Sequence, residues 1–184
     1  MVMRSLLIFL FTGLFLLTAC TPANSTVEKS TSVDLPDLGI APELTNTIWI
    51  NTENPLRLAD LKGKVVIIEM WTFGCINCRN VIPNLIKWHE KYASEGLVII
   101  GDHFPEFDRE SVLENLQQAV EELKIPYAVA EDNLGKTWNA YNTHYWPSLY
   151  LIDKNGHIRY THIGEGKYQE TEDAIVALLN EEVN

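Results

Sequence analysis

Cysteine is scarce in this chain: Cys20, Cys75 and Cys78 are the three in 184 residues. That scarcity excludes a domain stapled by several disulfides, and a structural zinc site needs four ligands, most often as two close pairs. Only one close cysteine pair exists, and the five histidines (His89, His103, His144, His157, His162) contain no HxxxH to complete a set. Positive charge is also short. Fourteen Lys and Arg against 25 Asp and Glu give a net charge of −11, which argues against nucleic acid or an anionic surface as the partner. Long apolar runs are missing too. LLIFLFTGLFLL, Leu6 to Leu17, has twelve residues, below the ~20 that a membrane-spanning helix needs. There is no internal repeat and no low-complexity block.

That apolar run has the layout of an export signal, with Arg4 before it and LTAC after it. Residues 1–19 look like a bacterial lipoprotein signal peptide, cut before Cys20, whose sulfur would then carry diacylglycerol. A plain secretory signal or an uncleaved anchor is the alternative, and each of the three exports the remainder of the chain. The expected location is therefore extracytoplasmic, attached to a bacterial membrane through lipidated Cys20. Loss of Arg4 and of no acid takes the net charge from −11 to −12. Residues 20–40 open with a polar stretch lacking aromatics, TPANSTVEKSTSVD, and read as a flexible tether. Residues 41–184 are left as one domain, large enough to bury a core without disulfides and expected to be a monomer.

Within that domain the informative stretch is WTFGCINC, Trp71 to Cys78. It sets two cysteines three positions apart where an apolar strand hands over to a helix. A thiolate at the first turn of a helix faces unsatisfied backbone N–H groups and the positive end of the helix dipole, which favour an ionised sulfur. The pattern points to thiol-disulfide exchange. Cys75, at the helix start, is the expected nucleophile; Cys78, one turn inward, is the expected resolving thiol. The redox-active Cys75/Cys78 pair needs no further cofactor, and no metal is expected.

The flanking pattern alternates strand and helix. TIWI (Thr47 to Ile50) and LRL (Leu56 to Leu58) suggest a short leading hairpin. VVIIEMW (Val65 to Trp71) is a continuous apolar run apart from one acid, as expected of a strand buried on both faces, and LVIIGDH (Leu97 to His103) is expected as a second buried strand. A helix from the CxxC to about Glu95 lies between them. RESVLENLQQAVEEL, Arg109 to Leu123, predicts a second helix; Tyr127 to Ala130 is short and β-prone, and a further helix is expected around Lys136 to Tyr141. SLYLID and HIRYTHI flank Asn155-Gly156, a strong hairpin signal, and a last helix is expected over Thr171 to Leu179. This order implies an α/β fold with a central mixed sheet covered by helices on both faces.

The string KVVIIEMWTFGCINCRNVIP resembles the thioredoxin superfamily. Together with GDHFPEF, TWNAYNTHYWPSLYLID and YTHIGEG, it is similar to the extracytoplasmic thioredoxin-like domain of DipZ proteins, within the TlpA/ResA-like group. The resemblance implies a thioredoxin-like fold with an extra αβ insertion after the second core strand. It also implies a membrane thiol electron donor of the CcdA/DsbD type and disulfide-containing envelope proteins as partners. Gly74 stands where thioredoxins usually place a Trp, and Ile76-Asn77 replaces Gly-Pro, so a thioredoxin-like potential does not carry over.

The same resemblance assigns further residues. Glu69, six before Cys75, matches the buried acid of thioredoxins that accepts a proton from the resolving cysteine. As the one acid in an apolar strand, it should rest with a raised pKa unless it pairs with a lysine such as Lys64 or lies at an edge. Pro147 matches the cis-proline that faces the dithiol and presents backbone to an extended substrate. Trp146 and Trp71 are expected beside it as substrate contacts. His103 and Glu106 lie just beyond a central strand on the same rim, either tuning the thiolate or shaping the loop. Two other activities stay open. A thiol peroxidase is suggested by Thr72, three before Cys75, although Ile68 fills the proline position of the peroxiredoxin pattern. A copper chaperone would draw on His144 or His162.

Overall fold

A computed structural model describes residues 34–182; the expected signal peptide, Cys20 and the tether up to residue 33 lie outside them. Among the described residues, no helix is long and apolar enough to cross a membrane. Six strands form one sheet: β1 (Trp49–Ile50), β2 (Val65–Trp71), β3 (Leu97–His103), β4 (Ala128–Glu131), β5 (Ser148–Ile152) and β6 (Ile158–Ile163), ordered β1-β4-β3-β2-β5-β6. β2, β3 and β4 are parallel; β1, β5 and β6 pair antiparallel with their neighbours. The helices are α1 (Ile76–Tyr92), α2 (Leu113–Glu122), α3 (Lys136–Ala140) and α4 (Tyr168–Asn180).

Every residue of β2 is buried, because the strand is central and both of its faces are covered. Val65, Ile67 and Trp71 face a core completed by Val81, Ile82, Leu85 and Trp88 of α1, Leu116 and Val120 of α2, and Ala174, Ile175 and Leu178 of α4. Val66, Ile68 and Met70 face the other way, against Trp138 of α3 and Ala41, Leu44 and Leu58 of the leading segment. The fold is thioredoxin-like, with α2 and β4 as the insertion after β3.

Three expectations need correction. The leading hairpin does not form. Trp49 and Ile50 pair instead with Ala130 and Val129 at the sheet edge, and Leu58–Leu61 turns into a 3₁₀ helix. Its first amides are taken by Glu43, whose carboxylate accepts from the N–H of Leu58 (2.6 Å) and Ala59 (3.0 Å). The tether ends earlier than residue 40: Leu35 is buried in the core, Leu38 N–H donates to Ile158 O, and Arg159 donates to the carbonyls of Pro36 and Leu35. The helix expected from Arg109 is broken, because Asp108–Ser111 forms a separate 3₁₀ turn and Val112 is extended (φ −81°, ψ 117°) before α2 begins.

The topology collects chemistry at one edge. The parallel strands end there at Trp71, His103 and Glu131, with Trp71 and His103 in register. β5 starts there, Ser148 opposite Met70, and β6 ends there, Ile163 opposite Ser148. That edge, beyond the carboxyl ends of parallel strands, is where ligand and active groups gather in α/β sheets.

Candidate active site

Cys75 is the N-cap of α1. Its extended backbone (φ −78°, ψ 119°) turns the sulfur onto the first helical turn, where Sγ accepts from the N–H of Cys78 at 3.4 Å. Cys75 N–H in turn donates to Thr72 O at 3.3 Å, closing the turn between β2 and α1. Cys75 is half-buried and Cys78 fully buried, and both are free thiols. Burial pushes the Cys78 thiol far up, helped by its hydrogen bond with Cys75 and by the charge of Glu69.

Glu69 is enclosed on β2, 1 % exposed. No lysine among the described residues pairs with it, and it is not at an edge. Its one hydrogen bond among the described residues comes from the Tyr127 hydroxyl at 3.4 Å, and Oε1 has no partner. Burial therefore pushes its carboxyl up to about 8, against the smaller lowering effect of Tyr127. Glu69 also lines a cleft shared with Val81, Pro147, Leu149, His162 and Tyr168.

The Trp146–Pro147 bond is cis. Pro147 is buried, its carbonyl accepts from Gly164 N–H at 2.9 Å, and Ser148 Oγ donates to Tyr145 O at 2.7 Å. Trp146 is half-buried, stacks on Phe104 (ring centroids 5.9 Å apart) and packs tilted against Trp138 (4.5 Å). Trp71 does not join it as a surface contact: it is fully buried and meets the His103 ring edge-on.

His103 and Glu106 part company. His103 is fully buried, stacked on Phe73, and its Nε2 accepts from Phe73 N–H at 3.4 Å with the Thr72 hydroxyl 3.3 Å away. Burial lowers its pKa to about 4, against the opposing charge of Glu110. Glu106 is exposed and contributes a backbone N–H rather than its carboxylate. The acid that is buried here is Glu110, which sequence reasoning missed. Its Oε2 accepts from the Thr72 hydroxyl (2.5 Å) and from the N–H of Glu106 (2.9 Å) and Phe107 (3.4 Å). Its Oε1 occupies the space that a Cβ on Gly74 would take. That contact accounts for glycine at the position before Cys75.

The depressed His103 value has a consequence for stability. Its neutral form is favoured in the fold, so its contribution is present above the unfolded value near 6.5 and is lost as pH falls through about 4. His103→Phe should therefore lose about 3 kcal/mol less than the parent between pH 7 and pH 4. Denaturant midpoints at the two pH values read the difference, and equal losses would contradict it.

Residues 39–161 match the model of the AhpC/TSA family, which covers well over half of the chain. The chain belongs to that family. DipZ of Mycobacterium tuberculosis is 41% identical over 153 residues, covering 82% of this chain and 22% of DipZ. The thiol-disulfide oxidoreductase ResA of Bacillus cereus is 27% identical over 164 residues, 89% of this chain and 92% of ResA. A solved thioredoxin-like superfamily protein superposes with a TM-score of 0.74 at 31% identity, over 79% of this chain and 99% of that one. This AhpC/TSA chain thus spans about a fifth of the length of the DipZ relatives it matches, while it matches ResA over nearly its whole length.

Proposed function

We propose that this protein is an extracytoplasmic, membrane-anchored thiol-disulfide oxidoreductase that reduces or exchanges disulfides in envelope proteins. The observation that carries the reading is the asymmetry of the pair: one sulfur half-open at a helix N-cap, the other sealed one turn inward. Such a pair attacks with the first and releases with the second. Cys75 thiolate attacks a partner disulfide; one partner sulfur leaves as a thiolate and takes up a proton, and a mixed disulfide joins Cys75 to the other. Cys78 then loses its proton to the Glu69 carboxylate and attacks the Cys75 sulfur. The partner leaves with both sulfurs reduced, and the Cys75–Cys78 disulfide carries the two-electron oxidation. A membrane thiol donor of the CcdA/DsbD type would return the pair to the dithiol. Trp146 and Pro147 would seat the partner's extended backbone, and lipid on Cys20 would hold the domain to the membrane.

The peroxidase alternative is disfavoured by Thr72, whose buried hydroxyl is committed to Glu110 rather than turned to a peroxide.

Cys78→Ser keeps the attacking sulfur and deletes the releasing one. Mixed with an envelope fraction or an unfolded disulfide-bonded test protein, it should accumulate a covalent adduct that dithiothreitol releases, whereas Cys75→Ser should form none. Absence of any adduct, with no cycling of the wild-type pair against glutathione, would overturn the assignment.

A further inference from the structure

Two carboxylates are buried around this dithiol, and the exchange mechanism uses only Glu69. Glu110 is the other, 1 % exposed and reached through a 3₁₀ turn that interrupts what the sequence presents as a helix. Burying an acid costs several kcal/mol unless donors converge on it. Here three do, all on Oε2: the Thr72 hydroxyl and the backbone N–H groups of Glu106 and Phe107. Oε1 has no hydrogen-bond partner among the described residues. The Arg109 guanidinium stands 3.8 Å away on the solvent side, and the oxygen itself is pressed against Gly74, the residue bonded to Cys75.

The other contacts of this turn are organised around the same acid. Thr72 gives its hydroxyl to Glu110 and its carbonyl to Cys75 N–H, and Phe73 N–H donates to His103. The path from β2 to the helix N-cap is thereby held by Glu110 on one group and by His103 on the next. A bulky side chain at position 74 would evict the carboxylate, so glycine here and the buried acid belong together.

We propose that Glu110 is a positioning residue for the dithiol: it clamps Thr72–Gly74 and sets its carboxylate against Gly74, the residue bonded to Cys75. This rests on the thiol-exchange reading and adds a direction to it. A fixed negative charge disfavours the thiolate, and a reduced form that is less stable makes the couple a stronger reductant. Glu110 touches neither sulfur in the hydrogen-bonded network and takes no proton in the cycle; its effect is on where the equilibrium lies.

The test is the dithiol–disulfide equilibrium of the full domain in glutathione buffers, read by thiol alkylation. Glu110→Gln keeps shape and loses charge, and should shift the equilibrium about tenfold toward the dithiol, or about 30 mV less negative. Glu110→Asp keeps the charge and should stay within about threefold of the parent, a split that a purely structural role would not produce. A folded Glu110→Gln with an unchanged equilibrium overturns the proposal, as do equal shifts in the two variants. Should Glu110→Gln not fold, Arg109→Gln decides instead: it removes the exposed guanidinium that offsets the charge on Oε1, so a shift toward the disulfide supports the proposal and no shift overturns it. If the wild-type pair does not equilibrate with glutathione at all, exchange itself fails, which is a different result from an unresponsive Glu110.

Discussion

Glu69→Gln is expected to gain about 5 kcal/mol in stability relative to the parent between pH 4 and pH 9, while losing about a hundredfold or more in the release step. The stability half follows from burial. Glu69 is pushed up to about 8 in the fold, whereas in the unfolded chain it titrates as an ordinary glutamate near 4.5. A raised carboxyl contributes stability that is complete below the unfolded value and is lost as pH rises through the folded one. The parent should therefore weaken steadily from about pH 4.5 to pH 8, and glutamine, which does not ionise, should not share that loss. Denaturant midpoints of both proteins across this range measure it; a difference that is flat with pH would show that Glu69 does not titrate in the fold as its burial requires.

The kinetic half follows from the same group. Cys78 is sealed from solvent and its thiol is pushed far up, so it needs a neighbour to take its proton. In the proposed mechanism Glu69 takes that proton in its ionised form, so release of the partner from the Cys75 adduct should accelerate as pH rises through about 8. In Glu69→Gln that rise should disappear and the step should slow. Single-turnover measurement on a preformed mixed disulfide isolates the step from the first attack. An unchanged rate and pH profile would remove Glu69 from the mechanism.

The second large effect is expected at Gly74. Gly74→Ala adds one methyl group where Glu110 Oε1 already sits. The obstacle is the end of a side chain held by three donors, so it yields only by giving up those bonds or by shifting the turn. A loss of about 1–3 kcal/mol is expected from the overlap, with a fall of about a hundredfold in exchange rate if the Cys75 sulfur moves by an ångström. The Trp that thioredoxins place there should do at least as much harm. Combining Gly74→Ala with Glu110→Ala removes the obstacle, so the double variant should be more stable than the sum of the single effects predicts. Strict additivity in unfolding experiments would mean that the two residues do not compete for the same space.

The strands that carry the dithiol were legible because their burial leaves a plain signature. Val65–Trp71 and Leu97–His103 are covered on both faces and read as mainly apolar stretches with the observed limits, interrupted by Glu69 in the first and by Asp102 and His103 in the second. The hairpin after Asn155-Gly156 was legible from turn chemistry. The leading hairpin was misread because Leu56 to Leu58 has strand composition, whereas the N–H groups of Leu58 and Ala59 turn to the Glu43 carboxylate and β1 pairs with β4. The last residues of the assumed tether hold Leu35, Leu38 and Ile40 without a strand or helix period; only the fold reveals that Arg159 waits for their carbonyls and that Leu35 has a place in the core. Glu110 was hidden for a different reason. It stands beside Glu106 and Asp108 in an acidic surface stretch, and nothing local distinguishes the one whose carboxylate turns inward.

Residues 34–40 are fastened beside the start of β6, next to His157 and Ile158, at the end of the sheet opposite Cys75. Were the chain held to a membrane through the segment before residue 34, as proposed, its attachment would enter the domain at the pole away from the sulfurs. Clients drifting in from the surroundings would meet the reactive thiol directly, whereas a donor lying in the mooring surface would reach it only when the body tips over. Charging and discharging would then be separated by orientation, and the freedom to capsize would govern how often the pair is renewed.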